Sequence, residues 1–327
     1  MPFNLDEFLL KYAPHEETVS YLRAKYSGDK KEFETDVDAA RRSAVETARR
    51  YAGDTGFDGT TQEFSVPVDD ERDIQDAIPV TVYKPDVCVH QGAPPLLVYF
   101  HGGGNVTKSR ATQETTCKML AKMTPCIVVN VEYRRSPEHK FPASNDDASC
   151  VTRWVHENKI KIGGSVSSRL GVAGDSNGGR MAAVVCHDCP SIVHFAILVY
   201  PKVSYLTEFP SSIEFQDGPL LPRKRSEWFS QMTLREDQKT DPRASVVLNS
   251  DFSRLPPTLL VIAELDPLRD GGYEYERKLR DAGVHVELEL IKGVPHTFWS
   301  LPVAFKENCT RSYEIAAKFI RKVSTSP

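Results

Sequence analysis

No stretch of the 327 residues approaches the roughly 20 consecutive apolar positions that a membrane-spanning helix needs. The longest nearly apolar run, 255–263, is broken by Pro256, Pro257 and Thr258. Export features are equally scarce at the N-terminus. Asp6 and Glu7 precede the first basic residue, Lys11, so the positive and apolar regions of a signal peptide are both missing and a cytoplasmic protein is expected. An excess of one charge is missing too. Lys and Arg number 41 against 45 Asp and Glu, a net charge of -4, which offers no electrostatic footprint for nucleic acid. Seven cysteines, at 88, 117, 126, 150, 186, 189 and 309, are odd in number and scattered, a pattern that suits reduced thiols better than a disulfide framework. Only Cys186-His187-Asp188-Cys189 has ligand-like spacing. A zinc site needs about four ligands and no second cysteine pair completes one, so no metal is expected.

What remains is a chain with 40% apolar and 26% charged residues, enough for a sizeable core and too apolar for disorder. Its length allows about two domains, or one α/β core with additions. Continuous apolar runs at Leu96–Phe100, Ile127–Val131, Leu170–Ala173, Ile192–Tyr200, Thr258–Ala263 and His285–Ile291 indicate parallel strands buried on both faces. Helical patterns at 111–123, 145–158, 177–188, 271–282 and 303–323 alternate with them, which implies a doubly wound, mostly parallel sheet. Thr61–Val68 and Ile78–Tyr83 alternate in polarity and suit an antiparallel edge. Two regions stand outside this alternation: the helical segment 1–55 and the Pro-, Ser- and charge-rich segment 201–255. Both are expected to form a cap over a core made of 56–200 and 256–327.

Gly174-Asp175-Ser176-Asn177-Gly178 lies between a buried strand and a helix, where a nucleophilic serine on a tight turn needs small neighbours two residues to either side. His101-Gly102-Gly103-Gly104 follows the strand Leu96–Phe100. Its glycines leave backbone N–H groups uncovered, as a developing oxyanion requires. A phosphate cradle is the rival reading, but neither G-x-x-x-x-G-K-[ST] nor G-x-G-x-x-G occurs. A serine nucleophile needs a base, and the base an orienting carboxylate. His296 follows the last strand and Asp266 ends the one before it, with Glu264 and Asp270 as competing acids. The order Ser176, Asp266, His296 differs from that of chymotrypsin-like and subtilisin-like enzymes.

In combination these motifs, with Asp266-Pro267-Leu268-Arg269-Asp270, Pro295-His296 and the stretch Tyr133 to Ala143, resemble the hormone-sensitive-lipase-like branch of the α/β-hydrolases, which includes arylacetamide deacetylases and carboxylesterases. The resemblance runs from about Ile78 to Lys322. It implies an α/β-hydrolase fold with a helical cap, a Ser176–His296–Asp266 triad, and an oxyanion hole from the N–H groups of Gly103, Gly104 and Asn177. It also implies a serine carboxylesterase for short to medium acyl, possibly aryl, esters, with no cofactor, acting on small molecules as a monomer or homodimer. Amide hydrolysis of the arylacetamide type is a close variant, and a non-catalytic receptor on the same scaffold a remoter one. Asn177 departs from the alanine usual in the branch and Asn105 from an aromatic. The expected pocket residues are Asn105, Val106, Tyr205, Trp228 and Phe298.

Overall fold

The computed structural model describes residues 3–27, 35–68, 77–90 and 92–325. Its centre is an eight-stranded sheet: β1 (Gly59–Val66), β2 (Ile78–Pro85), β3 (Leu96–Phe100), β4 (Ile127–Val131), β5 (Leu170–Asp175), β6 (Phe195–Val199), β7 (Thr258–Leu265) and β8 (Val286–Pro295). The spatial order is β1-β2-β4-β3-β5-β6-β7-β8. β1 and β2 pair antiparallel with each other, β2 pairs antiparallel with β4, and every later pairing is parallel.

The central strands are apolar on both faces because both are covered. Along β3, Leu96, Val98 and Phe100 enter one hydrophobic layer while Leu97 and Tyr99 enter the other. The first layer is closed by α5 (Ala143–Glu157), α6 (Asn177–Asp188) and α9 (Arg269–Asp281), through residues such as Val151, Met181 and Leu279. The second is closed by α4 (Glu114–Met123) and α10 (Lys306–Thr325), with Leu120, Tyr313 and Phe319 on the sheet. Doubly covered parallel strands are what continuous apolar runs specify. The expected helix 111–123 divides into a 3₁₀ turn at Ala111–Gln113 followed by α4.

The N-terminal segment contributes α1 (Leu5–Tyr12), α2 (Glu16–Lys25) and α3 (Val37–Tyr51). Phe8, Tyr21 and Leu22 extend the second layer. Asp36 caps α3, its carboxylate accepting from the Ala39 N–H at 2.7 Å. Between β6 and β7 the chain forms α7 (Pro210–Glu214), α8 (Arg223–Thr233) and two 3₁₀ turns at Glu236–Thr240 and Val246–Leu248. Among the described residues no helix is long and apolar enough to cross a membrane.

Candidate active site

β5 ends at Asp175 and α6 begins at Asn177, so Ser176 alone makes the turn between them, at φ 58° and ψ −118°. That left-handed geometry is strained for a residue with a side chain and persists only where the surroundings fix it. Here the Ser176 N–H donates to the Val199 carbonyl at 2.9 Å, and its own carbonyl accepts from the N–H groups of Arg180 and Lys202. Glycine is obligatory beside it. A Cβ on Gly174 would overlap the Gly178 backbone, and one on Gly178 would overlap the Phe100 carbonyl.

The parallel β7 and β8 bring two further side chains to the same edge. Asp266 follows β7 directly and His296 follows β8. His296 Nδ1 donates to Asp266 Oδ2 at 2.7 Å, and His296 Nε2 accepts from Ser176 Oγ at 2.9 Å. Since an ionised carboxylate can only accept, the Asp266 contact fixes the proton on Nδ1 and leaves Nε2 free to take one. The second Asp266 oxygen accepts from the Leu268 N–H at 2.8 Å. The two competing carboxylates have other work. Glu264 accepts from the Gly293 N–H at 2.7 Å, which ties the ends of β7 and β8 together. Asp270 accepts from the Ser211 N–H and so fastens α7 to α9.

The His101–Gly104 loop leaves β3 beside this chain of bonds, with Gly103 at φ 95° and Gly104 at φ 62°. The N–H groups of Gly103, Gly104 and Asn177 have no acceptor among the described residues, and all three residues line the cavity that contains Ser176 and His296. A residue that sequence reasoning did not single out holds the loop in place. Asp175, fully buried, accepts from Tyr99 OH at 2.8 Å, the Gly102 N–H at 2.9 Å and Lys108 Nζ at 3.3 Å. Burial alone would raise its pKa, but Lys108, Tyr99 and Gly102 outweigh it and the carboxyl stays below its ordinary value. The available signal was an acid at the last position of an otherwise apolar strand, which burial tolerates only with partners. His101 packs on Tyr133 at 4.2 Å between ring centroids, and burial pushes its pKa down to about 3, so it is a neutral packing group.

The cavity measures about 310 Å³. The helix α3 and the segment 220–229 supply much of its wall, including Ala44, Ala48, Leu220 and Phe229. Of the expected pocket residues, Tyr205 lies on this wall and Asn105, Val106, Trp228 and Phe298 do not. Val106 and Trp228 pack with Ala40 in a small apolar cluster, and Phe298 is sealed in the core. The ring above the Gly104 backbone is that of Phe229, which a Cβ on Gly104 would overlap. Asn105 belongs to a buried polar network. It accepts from the Asn177 amide and donates to Ser144 Oγ at 3.1 Å. Asn177 Oδ1 in turn accepts from Arg180 Nε at 2.9 Å and Tyr205 OH at 3.0 Å. The Asn177 side chain thus points into this network, leaving its backbone N–H to the cavity.

Lys202 and Arg225, two of the four basic residues on the wall, were also missed. Burial lowers the pKa of both, and Lys202, further repelled by Arg180 and Lys239, falls to about 8. They sit in the irregular segment 201–255, where no periodicity tells which residues face inward.

The sequence is matched over residues 97–300 by the family model for the α/β-hydrolase fold. Esterase LipI of Mycobacterium tuberculosis is 37% identical over 66% of this chain and 69% of its own length. The ethyl acetate hydrolase of Pseudomonas putida is 34% identical over 83% of this chain and 86% of its own. Among solved structures, an ester hydrolase from the metagenome of Lake Arreo superposes with a TM-score of 0.87 at 30% identity, covering 95% of this chain and all of the other. With more than half of its length matched by the family and its sheet, elbow and glycine loop arranged as above, the chain belongs to the α/β-hydrolase family, in the hormone-sensitive-lipase-like branch.

Proposed function

We propose that this protein is a serine carboxylesterase that hydrolyses short to medium acyl esters of small molecules, with Ser176 as nucleophile, His296 as base and Asp266 as the acid that orients it. The observation that carries this reading is the unbroken relay from Ser176 Oγ through His296 to Asp266 at a cavity also lined by Gly103, Gly104 and Asn177. His296 Nε2 takes the Ser176 hydroxyl proton as Oγ bonds to the ester carbonyl carbon. The carbonyl oxygen becomes an oxyanion held by the three N–H groups. As it collapses, the bond to the alcohol oxygen breaks and His296 returns the proton to the departing alcohol. Water then repeats the sequence on the acyl-enzyme, releasing the acid and regenerating Ser176. Asp266 stays ionised and stabilises the imidazolium at each turn. No step requires a metal, so EDTA leaves the rate unchanged.

The described residues of 1–55, together with 201–255, act as the cap, a division supported by the cavity wall they share. The test is hydrolysis of phenyl acetate, butyrate and hexanoate by the wild type and by Ser176→Ala, His296→Ala and the double variant. Each single change lowers kcat by about 10⁴-fold or more, and the double variant is little worse than either, because a base without its nucleophile has no proton to take. Multiplicative losses would mean that the two residues act independently and would overturn the triad.

A further inference from the structure

Two cations on the cavity wall have too few partners for their position. Lys202 follows β6 by three residues and is tied to the nucleophile by its backbone, its N–H donating to the Ser176 carbonyl at 3.1 Å. Its ammonium is half-buried, donates to Ser226 Oγ at 3.3 Å and stands 4.7 Å from the centre of the Tyr205 ring. Arg225, on α8, donates to the Leu220 carbonyl at 2.7 Å and lies 5.6 Å from the Phe229 ring. Among the described residues no carboxylate pairs with either group, and no acid is among the groups that shift their pKa values. An ammonium carries three donors and a guanidinium five, so most remain free. Of the other basic residues on the wall, Lys108 is already paired with Asp175, which among the described residues is the one acid lining it. Behind Tyr205 lies a third cation, Arg180, which is fully buried and donates to neutral oxygens of Asn177, Asn145 and Arg243.

A neutral ester filling this cavity would displace the water around Lys202 and Arg225 and give nothing back, so it would be disfavoured by their desolvation. A carboxylate would replace that water with charge-assisted hydrogen bonds. We propose that the ester substrate carries a carboxylate, on its acyl or its alcohol half, and that Lys202 and Arg225 together receive it. This rests on the esterase reading given above and narrows it to a substrate class.

The experiment compares matched pairs of esters. Phenyl hydrogen adipate and phenyl hexanoate differ by a carboxylate on the acyl half, and 4-acetoxybenzoate and its methyl ester by one on the alcohol half. In at least one pair, wild-type kcat/KM for the anionic member exceeds that for the neutral one by about 10-fold or more, as a charged hydrogen bond in a partly desolvated site would give. Raising the ionic strength shrinks that ratio. Lys202→Met and Arg225→Met each cut it by about 10-fold, mostly through KM. The pair that responds identifies the half that carries the charge. A ratio near one in both pairs overturns the proposal, and the wild-type comparison suffices for that even if a variant fails to fold. A high ratio that neither variant changes overturns the assignment to these two residues. Failure of the wild type to hydrolyse any of the four esters would instead overturn the esterase reading itself.

Discussion

A carboxylate without solvent survives only when its oxygens are engaged, and Asp175 meets that condition through Tyr99, Gly102 and Lys108. Asp175→Asn keeps the shape but aims an amide donor at groups that are donors themselves, and it leaves Lys108 facing a neutral partner. It should cost about 3 kcal/mol of stability in urea unfolding, and the loosened glycine loop should lower kcat by about 10- to 100-fold. An unchanged kcat would mean that the loop holds its shape without this bond. Asn177→Ala should behave differently. The donor expected to serve the oxyanion is a backbone N–H and stays, so most activity is kept. The amide that bridged Asn105, Arg180 and Tyr205 is gone, at about 1–3 kcal/mol of stability. A loss of activity as large as that of Ser176→Ala would show the amide itself to be catalytic. The residues at the strand ends were legible because their neighbours are constrained: glycines on either side of Ser176, and a proline and a tight turn around His296. The cavity wall was not. Trp228 and Phe229 are adjacent on α8, and one step along a helix turns a side chain by about 100°, so an aromatic pair without a clear apolar stripe does not say which ring faces the substrate.

At the scale of elements, the fit between sequence and fold was closest where burial was greatest. β3 and β4 have the limits their apolar runs suggested, while β8 continues four residues past its run to Pro295, its end hidden behind the exposed Lys292 and the glycine that follows it. The docking of α3 was not legible, because part of it rests on a long-range guanidinium. Arg41 donates to both oxygens of Glu138, at 2.8 and 2.7 Å, and also to the carbonyls of Val106 and Ser136. The Arg41 bonds hold the Glu138 carboxyl down to about 2. A lowered acid contributes its stability above its unfolded pKa and loses it as pH falls through the folded value, so this clamp should persist through mild acid and fail only near pH 2. Arg41→Ala should release α3 at neutral pH instead. Hydrogen exchange of the α3 amides should rise, and KM should increase several-fold with kcat less affected, since Ala44 and Ala48 form part of the wall. Unaltered exchange in α3 would assign its docking to apolar contacts alone.

The molecule as a whole carries a net charge of -4, yet Lys202 and Arg225 on the cavity wall have no carboxylate partner among the described residues. Global charge and local field therefore oppose each other, and composition could not have disclosed the second. Lys202 makes the contrast testable. With its pKa lowered to about 8, mainly by burial, it is charged below that pH and neutral above it. The preference for a carboxylate ester over its neutral partner should accordingly fall as pH rises from about 7 to about 9, because kcat/KM reports the free enzyme. A ratio that stays level across this range would remove Lys202 from recognition. A different consequence follows from the N–H groups of Gly103, Gly104 and Asn177, which belong to the main chain. A codon change can replace any side chain on the wall, but short of proline it cannot delete a backbone N–H. Heritable variation on this wall can thus redraw which esters enter without removing the donors proposed to activate the carbonyl.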